Sequence, residues 1–283
     1  MSSTPSPLSP GQHQGQRLSQ ISWPWRVTWL YLTVFLFMPI VALVLKAITL
    51  DLKEIWRIAT DPVALSTYNV TFLTALAAGL INGLAGLIIA WVLVRYEFPG
   101  KRLLDAVIDL PFALPTAVAG LTLSTIYSPQ GWIGGWLEPF GIQVSFTRLG
   151  VLVAMIFISL PFVVRTVQPV LQALETEMEE AAWAMGASQW QTFWRVILPP
   201  IMPALLTGIA MGFSRAVGEY GSVVIIASNI PFQDLIAPVL VIQRLEQFDY
   251  AGATVIGTVL LLLSLAILLV INIIQARGRR FYG

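Results

Sequence analysis

Residues 180–199 read EAAWAMGASQWQTFWRVILP, and the fold turns on what this polar stretch is doing between two strongly apolar ones. Glu175, Glu177, Glu179 and Glu180 gather within about two turns of a helix-forming run that leads into it. Gly186 can enter the left-handed conformation without a Cβ penalty, which predicts the end of that helix. Ser188 opens a second helix. Its hydroxyl can accept a free backbone N–H while Gln191, three positions on, reaches back, which is the capping-box spacing. Pro199 and Pro200 are expected to stop this second helix, because proline lacks the amide donor and disfavours the helical conformation in the residue before it. The result is two short helices meeting at a small-residue corner, with Ala181, Ala182 and Ala187 small enough to let the knob sit close to another backbone. A second reading is an amphipathic loop anchored at a membrane surface by Trp183, Trp190, Phe193 and Trp194. The glutamates fit that reading poorly beside an anionic leaflet.

The surroundings of the stretch set its context. Of 283 residues, 57% are hydrophobic and only 11% charged, with a mean hydropathy of +0.78. So little charge cannot cover a soluble surface, so the solvent is lipid. Crossing about 30 Å of hydrocarbon takes roughly 20 apolar residues. Six segments meet that length: 27–48, 68–94, 103–127, 149–171, 204–227 and 252–274. The expected fold is therefore an all-α membrane protein of six transmembrane helices, with the polar element at 172–200 lying between the fourth and fifth. No soluble stretch is long enough to form a catalytic domain. Residues 1–25, rich in Ser, Pro and Gln, are expected to be a disordered tail and not a signal peptide, residues 26–275 one membrane domain, and residues 276–283 a basic tail. The single histidine, His13, falls in the first tail and reads as a solvated spacer. Cysteine is absent, which excludes a disulfide framework and thiolate metal binding.

Six crossings place both termini on one side, and basic residues tell which. Arg17, Arg26, Arg95, Lys101, Arg102, Arg165, Arg195, Arg277, Arg279 and Arg280 fall on the side of the termini; Lys46, Lys53, Arg57, Arg148 and Arg244 fall on the other. The excess marks the cytoplasmic face, so both termini and the polar element are predicted to be cytoplasmic.

One charge falls deep in the apolar sequence. Counted from Ala204, Arg215 reaches roughly the bilayer midplane, with Ser214 beside it and Glu219 four residues on, on the same helical face. Either the two form a structural ion pair, or Arg215 offers paired hydrogen bonds to an oxyanion crossing the membrane while Glu219 tempers its attraction. Gly218 and Gly221 add small surfaces beside the pair. Gly79, Gly83 and Gly86 read as a helix-packing stripe, and Asn82 between them as a cross-helix donor or a path-lining residue. Pro111, Pro115 and Pro161 predict kinks. Asp105 and Asp109, near Lys101 and Arg102, read as a solvated charge cluster. There is no GxxxxGK[ST] phosphate loop and no catalytic constellation, so the chain is not expected to bind ATP, any other cofactor or a metal, nor to be an enzyme.

The EAA, three residues, Gly, nine residues, hydrophobic-x-Leu-Pro pattern at 180–199 resembles the cytoplasmic loop of bacterial ABC-importer permeases of the EAA-loop, MetI-like type. Val196 stands where isoleucine is commoner. The resemblance implies that Glu180, Ala181, Ala182, Gly186 and Ala187 form a docking knob for an ATPase subunit, closed by Leu198 and Pro199. The stretches at 109–123 (DLPFALPTAVAGLTL), 161–171 (PFVVRTVQPVL), 215–230 (RAVGEYGSVVIIASNI) and 244–251 (RLEQFDYA) extend it to the T-type permeases of sulfate and thiosulfate importers. That resemblance implies several partners: a homologous permease subunit, two ATPase subunits carrying ATP and Mg, and a periplasmic or lipid-tethered sulfate-binding protein. It implies a place in the bacterial inner membrane and none for nucleic acid. Molybdate permeases share parts of these motifs, and molybdate is a tetrahedral dianion like sulfate. A passive channel or secondary transporter would have no use for an ATPase docking knob.

Overall fold

The computed structural model describes the backbone of residues 22–282 and the side chains of residues 23–273; among them it is helical, with no strand. His13 and most of the two expected tails lie outside the described side chains. The chain divides into two units, residues 1–52 and 53–283.

Among the described residues, the first unit holds one helix, Ser22–Leu32 continuing through a π-turn at Thr33–Phe37 into Met38–Ile48. It starts inside the stretch expected to be tail. Pro24 falls in its first turn, where a missing N–H has no intrahelical partner to lose. The π-turn precedes Pro39 and contains Phe35, whose carbonyl the proline ring would meet in a regular α-helix; the wider turn relieves that clash.

The second unit is built on three long helices, Pro62–Arg95, Arg148–Ala173 and Leu198–Val217, which pack on one another. Asp61 caps the first, accepting from the Val63 and Ala64 amides. The glycine stripe lies at this contact. A Cβ on Gly83 would come within 2.6 Å of Ile209 Cδ1, one on Gly86 within 2.8 Å of Val163 Cβ, and one on Gly208 within 2.8 Å of the Val163 backbone. Gly79 touches Ile209 only at ordinary distance. Asn82 is fully buried between the helices and donates to the Ile156 carbonyl at 2.9 Å and to Ser159 Oγ at 2.8 Å. It ties helices together and lines no open space.

The glycines should not be equivalent to mutation. Gly83→Ala meets the end of a flexible isoleucine and should cost under about 1 kcal/mol, whereas Gly208→Ala meets backbone and should cost about 1–3 kcal/mol. Melting of the purified protein in detergent should rank Gly208→Ala well below Gly83→Ala.

Five described helices are long and apolar enough to cross a membrane, two of them Gln189–Val217 and Tyr250–Ile273. The third expected span is not one of them. It is broken into Lys101–Ile108, Leu110–Ala113 and Thr116–Ile126, and the last piece, 11 residues long, rises only about 16 Å. Pro111 and Pro115 do more than kink it: Leu114, held at ψ 133° ahead of Pro115, is extended, so the ladder stops and restarts. Pro161, by contrast, sits inside the continuous 148–173 helix.

The fifth segment differs too. Pro199 and Pro200 do not stop the second helix of the polar element; the helix runs unbroken from Gln189 to Val217. A π-turn at Phe193–Ile197 holds Arg195 and Val196, the residues whose carbonyls the two proline rings would meet in an α-helix. The segment ends at Val217 instead of Ala227, followed by a turn and the short helix Val223–Ile226. The helix Ala237–Glu246 follows, and the last helix runs from Tyr250 through the basic C-terminal residues to Tyr282.

Candidate functional site

The polar element forms as local rules require. Its first helix, Thr176–Ala184, ends in a Schellman arrangement: the Gly186 amide donates to Trp183 O at 2.9 Å and the Ala187 amide to Ala182 O at 3.0 Å. Gly186 has φ +86°, and no atom lies within 4 Å of where a Cβ would stand, so glycine is needed there for conformation and not for space. The capping box is complete, with Ser188 N donating to Gln191 Oε1 at 2.9 Å and Gln191 N to Ser188 Oγ at 3.3 Å.

Burial divides the expected docking residues. Glu180, Ala181 and Gly186 are exposed, while Ala187 and Pro199 are half-buried. Ala182 and Leu198 are buried within the chain and support the knob from beneath, presenting no surface to a partner. Met185, at 83% exposed the most open large hydrophobic side chain of the element, was not singled out by the sequence; it stands between the EAA triplet and the corner glycine. Behind the knob, Trp190, Phe193 and Trp194 stack on one another, and Phe193 meets Trp91 of the 62–95 helix edge to face at 5.7 Å.

Two arginines, through three ion pairs, fix the element and its neighbourhood. Arg95, the last residue of the 62–95 helix, binds Glu179 of the first knob helix, with the two side chains only 17% and 13% exposed. Arg165, placed by the sequence within the fourth expected segment and on the side of the termini, lies inside the 148–173 helix. It donates to both Asp109 carboxylate oxygens at 2.8 and 2.7 Å, to Asp105 Oδ1 at 2.6 Å, to the Asp105 carbonyl at 2.8 Å and to Gln168 at 2.8 Å. Asp105 and Asp109, with side chains still 41% and 46% exposed, therefore clamp Arg165, while Lys101 pairs with Glu97 instead. The clamp grips the 101–108 helix through Asp105 and the first break of the third segment through Asp109.

Arg215 does not sit in the middle of a span. Its helix starts earlier than expected and ends at Val217, so Arg215 lies in the last turn, about 25 Å along the axis from Leu198. It donates to Glu219 Oε2 at 2.6 Å. Glu219 is 1% exposed, and its other oxygen accepts the Ser222 amide at 3.0 Å and hydroxyl at 2.9 Å. The carboxylate is thus fully engaged, whereas the Arg215 side chain is a third exposed. Ser214 is half-buried beside it. Gly221 closes against Thr116, and Ser222 lies so near Gly120 that a Cβ there would come within 2.6 Å of the Ser222 carbonyl. Gly218 meets no such neighbour. The charged pair therefore rests on the last piece of the broken segment.

Long lipid-length helices, a helix-corner-helix knob at the end of one of them and a buried charge pair at its far end define a multi-pass membrane protein with a structured polar element. The matching family model covers residues 82–280, and the chain belongs to that family, the inner membrane components of binding-protein-dependent transport systems. It is 64% identical to the sulfate transport system permease protein CysT of Synechocystis sp. over 97% of each chain. It is 66% identical to a probable sulfate transport system permease protein of Nephroselmis olivacea over 93% of each chain. Its fold matches, with a TM-score of 0.75 and 17% identity over 93% of this chain and 96% of the other, a chain of a bacterial alginate ABC transporter solved in complex with an alginate-bound periplasmic protein.

Proposed function

We propose that this chain is the membrane-spanning permease subunit of an ATP-driven importer of sulfate and thiosulfate in the bacterial cytoplasmic membrane. Near full-length identity to a sulfate permease carries the substrate class, and the capped knob at 176–192 supports the docking role. The subunit supplies half of the path and pairs with a homologous permease, a distinct chain. Two ATPase subunits bind ATP and Mg, and this chain holds no cofactor. A periplasmic or lipid-tethered sulfate-binding protein delivers the anion to the outer face. The broken segment at 101–126 makes the sixth crossing, which leaves both termini and the knob in the cytoplasm.

In this reading Glu180, Ala181, Gly186 and Met185 meet the ATPase, while Ala182, Ala187, Leu198 and Pro199 shape the support beneath them. Closure of the ATPases moves the knob, and the span joined to it through 193–197 carries the motion to the path. Arg215 offers its unused guanidinium edge to a tetrahedral dianion, and Glu219 holds it in place and keeps the binding weak enough for release.

The test is uptake into proteoliposomes containing this subunit, its permease partner, the ATPases and the binding protein. Radiolabelled sulfate should accumulate only with ATP inside the assay, and unlabelled thiosulfate should compete. Uptake of molybdate in place of sulfate, or flux that ignores ATP as in a channel or secondary transporter, would overturn the proposal.

A further inference from the structure

Four glutamates line the first knob helix and its cap, and they are not alike. Glu175, Glu177 and Glu180 face solvent, as a charged surface helix requires; Glu179 turns inward and is paired with Arg95. The surroundings of the pair are apolar and aromatic. The Arg95 guanidinium lies over the Trp91 ring at 5.6 Å, and Arg95 Nε is buried with no hydrogen-bond partner. A largely buried ion pair brings little net stability over well-packed apolar residues, since desolvation offsets most of the attraction. Holding one geometry is the best-attested use of such a pair.

The geometry it holds joins separate parts of the fold. The knob is covalently continuous with the 148–173 helix on one side and with the 189–217 helix on the other. Arg95 ends the third long helix, 62–95, which packs on both of the others through its glycine stripe. Without the pair, the knob has no charged tie to that helix.

We infer that Arg95 and Glu179 are positioning residues that deliver displacement of the first knob helix to the 62–95 helix, so that the three-helix core moves as one block. This rests on the proposal that the knob docks an ATPase. A push on the first knob helix would otherwise be absorbed at the Gly186 corner, where the backbone already bends and nothing packs against it. The pair bypasses that corner.

The chain has no cysteine of its own, so a designed pair would hold the only thiols in this subunit. The complete transport complex carrying R95C/E179C should retain its ATPases and hydrolyse ATP, yet move about tenfold less sulfate per ATP, within the usual range of coupling between sites. Bridging the two thiols with a short bis-maleimide should restore the ratio, which a role resting on the charges themselves would not allow. A wild-type ratio before bridging, or no recovery after it, would overturn the inference while leaving docking intact. Should the double variant fail to accumulate, Glu179→Gln keeps the shape and one acceptor and should lower the ratio about threefold, and an unchanged ratio there overturns it equally. Failure of the docking proposal itself would be visible separately, as wild-type subunit that does not retain the ATPases at all.

Discussion

Replacing Arg215 with alanine is expected to remove most of the folded subunit from the membrane, and adding Glu219→Gln to it is expected to bring the protein back without its transport. Glu219 is 1% exposed and keeps only the Ser222 amide and hydroxyl once the guanidinium is gone. Stranding a buried carboxylate in this way costs about 3–5 kcal/mol. That is a large share of the roughly 5–15 kcal/mol that holds a protein folded. Glutamine at 219 removes the charge but keeps an acceptor for the Ser222 donors, so the double variant should reach near wild-type levels. Sulfate uptake separates the two roles of Arg215. If the guanidinium lines the anion path, uptake per folded subunit stays at least about tenfold down, the equivalent of 1.4 kcal/mol of lost stabilisation. Recovery of uptake together with folding would reduce Arg215 to the counter-ion of Glu219.

The second large effect should come from Gly186→Ala. A residue with a Cβ at φ +86° pays roughly 1–2 kcal/mol in the left-handed region. The corner can escape that strain only by giving up the Schellman bonds to Ala182 and Trp183. Either way the knob is deformed in the complex that should hold it, and ATPase retention by membranes should weaken by about tenfold. Gly141, with φ +71° and equally open space around it, provides the control. Gly141→Ala carries the same kind of strain in the loop between the third and fourth segments, and ATPase retention should not change. Equal loss in both variants would mean that the effect reflects general instability and not the knob.

The parts of the fold that obey short-range rules were legible in the sequence. The corner at Gly186, the capping box of Ser188 and Gln191 and the packing role of Gly83 and Gly86 each follow from residues within one or two turns. Prolines were legible as positions but not as outcomes. Pro115 breaks a helix, Pro161 sits inside one that stays continuous, and Pro199 and Pro200 are accommodated by a π-turn, because the result depends on whether neighbouring backbone can widen. The ion pairs were out of reach for a different reason. Arg165 is 56 residues from Asp109 and Arg95 is 84 from Glu179, separations that no local pattern spans. Arg165 was legible only as a cation on the side of the termini, because the carboxylates that make a charge within a membrane helix tolerable come from another segment. The early start of the fifth helix, hidden by the same pair of prolines, and its end at Val217 instead of Ala227 together moved Arg215 from the middle of the expected segment to the end of the helix.

The π-turn at 193–197 also settles a question of phase. A widened turn holds about one residue more than an α turn, and one residue is about 100° of rotation around the axis. Side chains below the turn, on Gln189–Thr192, are therefore rotated relative to those on Leu198–Val217 as if the helix had been cut, twisted and rejoined. Which way the knob faces is written into that single surplus residue. Deleting it would keep the same knob and the same span, but aim one at the wrong quarter of the compass relative to the other.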